Sequence, residues 1–267
     1  MRTTPALWRE ARRWRAAGRT ARLWWRDDDA SAPSAALDRL LKAAQQTRIP
    51  LTLAVVPSGD MPGLAARLRH VSGVCVVQHG VDHQNRRTGD AAGEFPGDWT
   101  QAQLQSALLQ GWGRLQRLPN ILAVFTPPWN DVHPRLEAAL RSLGYDGWSA
   151  HGGLGDQGGG ADLARADVHL DLLRWRGGAR FRGRARLLDS LAAEMRRRRE
   201  AGLWDAPIGL LTHHLVHDEA AWRFLGAFQH WSLGQRELTW FGLPEVIGEA
   251  CEADDQLRSA GVTRSKK

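Results

Sequence analysis

The chain has 267 residues, enough for one large α/β domain, and its 43% hydrophobic and 24% charged residues are those of an ordinary globular protein. No apolar run approaches the roughly 18 residues of a membrane span, and two cysteines in no CxxC pattern, Cys75 and Cys251, argue against a zinc ribbon or a disulfide framework. A net charge of +7 invites an anionic partner, but the clusters Arg12, Arg13, Arg15 and Arg196 to Arg199 read as solvated helix faces. No aromatic-interleaved motif points to nucleic acid, so no nucleic-acid partner is expected.

In chain order, an amphipathic helix is expected within residues 1–20, starting after Pro5. Arg9, Glu10 and the arginines that follow interrupt any apolar signal segment, so a cytoplasmic location is expected. Leu23-Trp24-Trp25 reads as a buried strand that stops at Asp27-Asp28-Asp29. A helix follows over 34–47 with Ser34 as its cap, then strands over 49–56 and 71–77. Thr100 opens a helix over 100–117, and Ile121 to Phe125 forms a strand ending near Pro127-Pro128. A helix over 134–143 stops at Gly144. Gly152 to Gly160 reads as a loop, 185–201 as a helix, and Ile208 to Leu211 as a strand ending at Thr212-His213-His214. A polar tail follows Asp254. Strands alternating with helices predict a parallel sheet, open or closed into a barrel, in a single domain with its core at about 22–250. Polar residues gather just past the strand ends, where such folds build active sites.

Four of these segments can carry chemistry. Three adjacent carboxylates at Asp27 to Asp29 repel one another unless a cation binds or one stays protonated. A helix cap would explain one of them and leave two over. His79 and His83 stand at i and i+4; on a helix both imidazoles would reach one ion. Pro127-Pro128-Trp129 makes a stiff turn able to aim a backbone N–H at an oxyanion. His213, or its neighbour His214, ends a strand as a candidate general acid or base, and with His217 the group also resembles a metal site.

Together, and in this order, the four segments resemble the polysaccharide deacetylase (NodB-homology) family, carbohydrate esterase family 4, over about residues 22 to 218. Asp28-Asp29, His79 to His83, Pro127-Pro128-Trp129 and Leu211-Thr212-His213 stand where that family has its Asp-Asp, His-x-x-x-His, Arg-x-Pro-Tyr and Leu-x-His motifs. The resemblance implies a distorted (β/α) barrel, a divalent ion such as zinc, and an N-acetylated carbohydrate substrate. It implies that Asp29, His79 and His83 hold the ion, and that Asp28 is the general base. His213 is then the general acid, and the backbone N–H of Trp129 helps hold the oxyanion.

The departures mark a divergent branch. Arg26-Asp27 replaces the usual Thr-Phe, which leaves Asp27-Asp28 as an alternative register. Thr126 stands where the family has the arginine that orients the base, and Arg26 is the candidate to supply that charge. Asp171 is the nearest match to the family's fourth-motif aspartate. Two other readings use the same barrel: hydrolysis of another non-peptide C–N bond, such as a cyclic amide, and non-catalytic glycan binding through exposed members of the thirteen tryptophans.

Overall fold

The computed structural model describes residues 1–88, 91–152 and 163–248. Cys251, the tail after Asp254 and all but the first residue of the Gly152 to Gly160 stretch lie outside them.

Most elements start where their capping chemistry places them. Helix α1 (Pro5–Ala16) begins behind Thr4, whose hydroxyl accepts from the Leu7 N–H. Ser34 caps α2 (Ala35–Thr47), and Thr100 closes a capping box with Gln103 at the start of α4 (Gln101–Leu115). Helix α5 (Leu136–Ser142) ends with Gly144 in the left-handed region, where the Gly144 and Tyr145 N–H groups return to the carbonyls of Arg141 and Leu140.

Two helices were not expected from the sequence. Met61–Leu68 (α3) carries Pro62 and Gly63 in its first turn, which dilute its helical pattern. Glu219–Leu233 (α7) is capped by Asp218 and buries Ala221, Phe224, Leu225 and Phe228 on one face. Helix α6 (Arg184–Glu200) forms as expected, but only Arg196 and Arg197 of its arginine run are on a solvated face. Arg198 is fully buried and bonded to Glu194 and to the carbonyls of Ala206 and Pro207, and Arg199 pairs with the buried Glu10 of α1.

Among the described residues, nine strands form one parallel sheet and two more form a separate antiparallel ribbon. The strands β1 (Ala21–Ala30), β2 (Leu51–Val55), β3 (Val74–His79), β4 (Ile121–Thr126), β5 (Gly147–Trp148) and β6 (Ala164–Arg165) pair in sequence. On its other edge β1 pairs with β10 (Ile208–Thr212), and β10 pairs with β7 (Val168–Asp171). Because β6 and β7 belong to one continuous segment, that segment meets β5 at its start and β10 at its end, and the Val168 N–H reaches the Ala150 carbonyl between them. The ring closes there into a distorted (β/α) barrel. The short β11 (Leu238–Trp240) takes the first three residues of the β1 edge that β2 occupies further on.

Strand periodicity divides the side chains between two layers. Trp24, Ala54, Val77, Val124, Val168 and Leu211 pack together inside the ring. Leu23, Trp25, Leu53, Val76 and Leu210 pack outward under the helices.

Strand β1 corrects the expectation that it stops at the acidic cluster. It runs through Arg26, Asp27 and Asp28 and is interrupted only by a register shift before Ala30, where Asp29 has φ 74°. A bulge at this point bends the strand and re-aims one side chain.

Candidate metal and acid–base centre

The three adjacent aspartates go three ways. Asp27 shares the outward face with Trp25, and its carboxylate accepts from the Thr212 hydroxyl at 2.6 Å, the His214 N–H at 3.1 Å and His214 Nδ1 at 2.5 Å. Both side chains of that pair are fully buried. Burial opposes ionisation of Asp27, yet His214 outweighs it and holds the carboxyl below its ordinary range. The alternative register Asp27-Asp28 therefore does not fit, because Asp27 faces the helix layer.

Asp28 shares the inward face with Arg26 two residues earlier. Their side chains form a bidentate pair, Nε to Oδ1 at 2.8 Å and Nη2 to Oδ2 at 2.9 Å. The remaining guanidinium donors reach the Ser149 carbonyl and hydroxyl and the Asn130 amide oxygen. All five donors of this fully buried arginine are thus used. Arg26 does supply the charge beside Asp28 that Thr126 lacks; the Thr126 hydroxyl is buried without a partner.

Asp29, turned by the bulge, meets the two histidines. Its Oδ1 lies 3.2 Å from Nε2 of His79 and 3.2 Å from Nε2 of His83. One donor atom from each of the three residues falls within 4.8 Å of the others, and among the described residues no other group of His, Cys, Asp or Glu converges in this way. Burial works against the Asp29 charge, but the bonds from His79 and His83 outweigh it and hold this carboxyl well below the usual range.

The histidine pair is not on a helix. His79 ends β3, Gly80 and His83 both take positive φ, and the chain between them is a loop. The expected convergence occurs, but by another route. Glu94, which the sequence reading passed over, holds the loop from beneath: its buried carboxylate accepts from the N–H groups of Val81, Asp82 and His83 at 2.6 to 3.0 Å. A β-carbon on Gly80 would lie 2.3 Å from Glu94 Oε2 and 2.5 Å from Pro128, so only glycine fits there. Gln78 braces the far side through the Gly80 and Leu108 carbonyls and the Tyr145 hydroxyl.

This donor set fits a divalent ion. His79 Nδ1 faces the Thr126 carbonyl at 3.1 Å and so carries a proton. Burial opposes charge on this ring, but Asp28 and Asp29 outweigh it and raise its pKa; in the neutral form that binds a metal Nε2 is the free nitrogen. Its Nε2 then offers a lone pair toward Asp29 Oδ1, which is also an acceptor. Two acceptors at this distance need a proton or a cation between them. Ligand atoms about 2.1 Å from one tetrahedral zinc stand about 3.4 Å apart, close to the separations seen here.

Trp129 and Asn130 follow Pro128 with φ 55° each, a strained pair for residues other than glycine. This turn lays the Trp129 ring over His83, centroids 4.3 Å apart, and aims the Asn130 side chain at Arg26. On the opposite side His213 lies edge-on to Trp175, centroids 4.6 Å apart. His214 is committed to Asp27, and His217 packs edge-on against Trp222, so the three late histidines do not form a second metal site. Asp171 accepts from the Leu173 N–H and the Trp175 indole N–H, while His213 Nδ1 is buried with no partner.

No protein-family model matches the chain, and no curated protein matches it in sequence. Solved structures do match. A polysaccharide deacetylase, so described, from Mycobacterium smegmatis superposes with a TM-score of 0.61 at 14% identity, over 94% of this chain and 96% of that one. The chain has the fold of the family 4 carbohydrate esterases. Within that deacetylase fold, a family 4 acetyl xylan esterase from Clostridium thermocellum, solved with a cobalt ion, superposes with a TM-score of 0.53 at 15% identity, over 85% of this chain and 91% of that one. The chitin deacetylase of Colletotrichum lindemuthianum does so with a TM-score of 0.53 at 15% identity, over 86% and 88%. At these identities the likeness is one of fold. In this chain's version of the deacetylase fold, the arginine beside Asp28 comes from β1 itself.

Proposed function

We infer that the protein is a metal-dependent hydrolase that removes the acetyl group from an N-acetylated sugar or glycan. The observation that carries this reading is the meeting of Asp29, His79 and His83 on one point, with the His79 ring oriented by the Thr126 carbonyl. These three residues would hold the ion, with zinc the first candidate for their nitrogen and carboxylate donors. When bound, such an ion polarises the amide carbonyl and acidifies water.

The chain's own residues supply the proton handling and the positioning. Asp28 is the general base: Arg26 fixes its plane, and lone pairs remain on its oxygens to accept a proton from water. His213 is the general acid that donates to the departing amine, its ring held by Trp175. The Trp129 backbone N–H is assigned to the carbonyl oxygen as negative charge develops on it. Trp129 and Trp175, both exposed, flank the centre and offer indole faces to a sugar ring. The substrate assignment draws on the neighbours described as acting on chitin and xylan. A cytoplasmic location is part of the proposal and favours a small or soluble substrate.

The test is acetate release from N-acetylglucosamine oligomers by the zinc- or cobalt-loaded protein, with O-acetyl xylan and a cyclic amide alongside. Amide deacetylation is expected to exceed both, and His79→Ala should lose the metal and acetate release together. Full activity in a His79→Ala protein without metal would sink the assignment.

A further inference from the structure

The rim of the centre beside His213 is strongly basic. After β7 the chain folds into an antiparallel ribbon of β8 (Leu173–Arg174) and β9 (Arg180–Phe181), joined through Gly177 and Gly178, both at positive φ. Between 174 and 182 this ribbon carries Arg174, Arg176, Arg180 and Arg182 and no acidic residue.

The pairing register sets Arg174 directly opposite Arg180. Like charges in that relation destabilise an antiparallel ladder. Leu173 and Phe181, the other facing pair, pack on the core, with Phe181 against Phe224. Arg174 bonds only to the Arg176 carbonyl and Arg182 to the Leu173 carbonyl, and among the described residues none of the four guanidiniums meets a carboxylate. The Asp218 carboxylate reaches the ribbon at the Phe181 N–H, but it is bonded to backbone N–H groups, and among the described residues the Arg174–Arg180 pair has no carboxylate bonded to it.

Two contacts tie the ribbon to the centre. Trp175 lies against the His213 ring and is anchored on Asp171. Arg182 lies near His151, where it and Arg26 add to partial burial in holding that imidazole below its ordinary range, against the pull of Asp171.

We propose that the β8–β9 ribbon is a subsite for an anionic group, a carboxylate or a phosphate, on the carbohydrate whose acetamide occupies the centre. Side chains directly opposite in such a pair have β-carbons about 5 Å apart, so two guanidinium forks reach one anion. An anion held there turns the unfavourable Arg174–Arg180 pairing into a favourable one. The carbohydrate part rests on the deacetylase reading above; the anion part rests on the ribbon.

The experiment is a titration of the zinc-loaded protein with three N-acetylated oligosaccharides of equal length: neutral, alternating with a uronate, and phosphorylated on a sugar hydroxyl. Binding is followed calorimetrically and acetate release is scored separately. One anionic oligosaccharide should bind about tenfold or more tightly than the neutral one, and added salt should erase the difference. The better anion names the carboxylate or the phosphate. The Arg174→Ala/Arg180→Ala variant should lower the anionic affinity to that of the neutral oligosaccharide, and Arg174→Glu/Arg180→Glu should invert the order; both positions are exposed, and circular dichroism checks the fold. Equal affinity for all three, or a preference that survives both variants, overturns the subsite. A preference with no acetate from any oligosaccharide keeps the subsite and refutes the hydrolytic reading. Acetate release without a preference refutes the subsite alone.

Discussion

Asp27, Asp28 and Asp29 are neighbours in sequence but not in charge. Each has its own cationic or proton-donating partner: His214 for the first, Arg26 for the second, His79 and His83 for the third. Strand periodicity separates the first two, and the bulge separates the third. The Arg26–Asp28 pair is buried, so removing one partner leaves a charge without compensation. Arg26→Met is therefore expected to lower the unfolding free energy by about 3–5 kcal/mol, measured by urea denaturation. Removing both charges, in Arg26→Met/Asp28→Asn, should recover part of that loss. A double variant as unstable as the sum of its parts would refute the coupling. Arg26→Lys keeps the charge but not the fork, so it should fold and still lose activity.

The described residues of the loop between β3 and α4 form no helix or strand, yet they must place His83 against a strand-end aspartate. Glu94 does this by gathering three backbone N–H groups, and Gly80 makes room for it. Partners that orient metal ligands typically govern affinity by 10- to 100-fold, so Glu94→Gln should weaken zinc binding by about that factor in a metal titration. Unchanged affinity would show that the loop is held elsewhere. Gly80→Ala faces a steeper penalty, since its new methyl group meets both Glu94 and Pro128 and its φ is 63°; it should bind no metal at concentrations that saturate the parent. The capped helices were legible because Ser34 and Thr100 advertise their starts. Helix α7 was not, because its cap Asp218 directly follows His213, His214 and His217 and reads as part of that polar cluster. Glu94 left no motif at all, since its partners are backbone groups.

Across the whole molecule, burial holds some histidines neutral, while aspartates beside His79 and His214 outweigh it and raise those two instead. His169 accepts from the Gly209 N–H and lies beside Arg198; burial first, and then that positive charge, push its pKa down to about 2. His217 is lowered to about 4, again by burial, against the pull of Asp27. An unfolded histidine titrates near 6.5. As pH falls from about 6.5 toward 4, the unfolded chain takes up protons that the fold excludes, so the stabilisation present above 6.5 is progressively lost. From these two rings unfolding free energy should fall between about pH 6.5 and pH 5, below the range in which the raised His79 and His214 act in the opposite sense. His169→Asn, whose amide oxygen can still accept from Gly209, should flatten that slope; an unchanged slope would remove His169 from the account.

Periodicity, caps and strand-end polar residues determined most of the helices, the longer strands and several centre residues, because those signals are local. Asp28, His79 and His213 were visible in that way, and Arg26 through the departure from the deacetylase motif at Thr126. The tertiary structure alone decided which aspartate meets the histidines, since a bulge is a property of strand pairing rather than of three identical letters. It also decided that His79 and His83 meet across a loop, that Arg198 is interior, and that Arg174 faces Arg180. Each depends on register or closure, and both are settled by parts of the chain far apart in sequence.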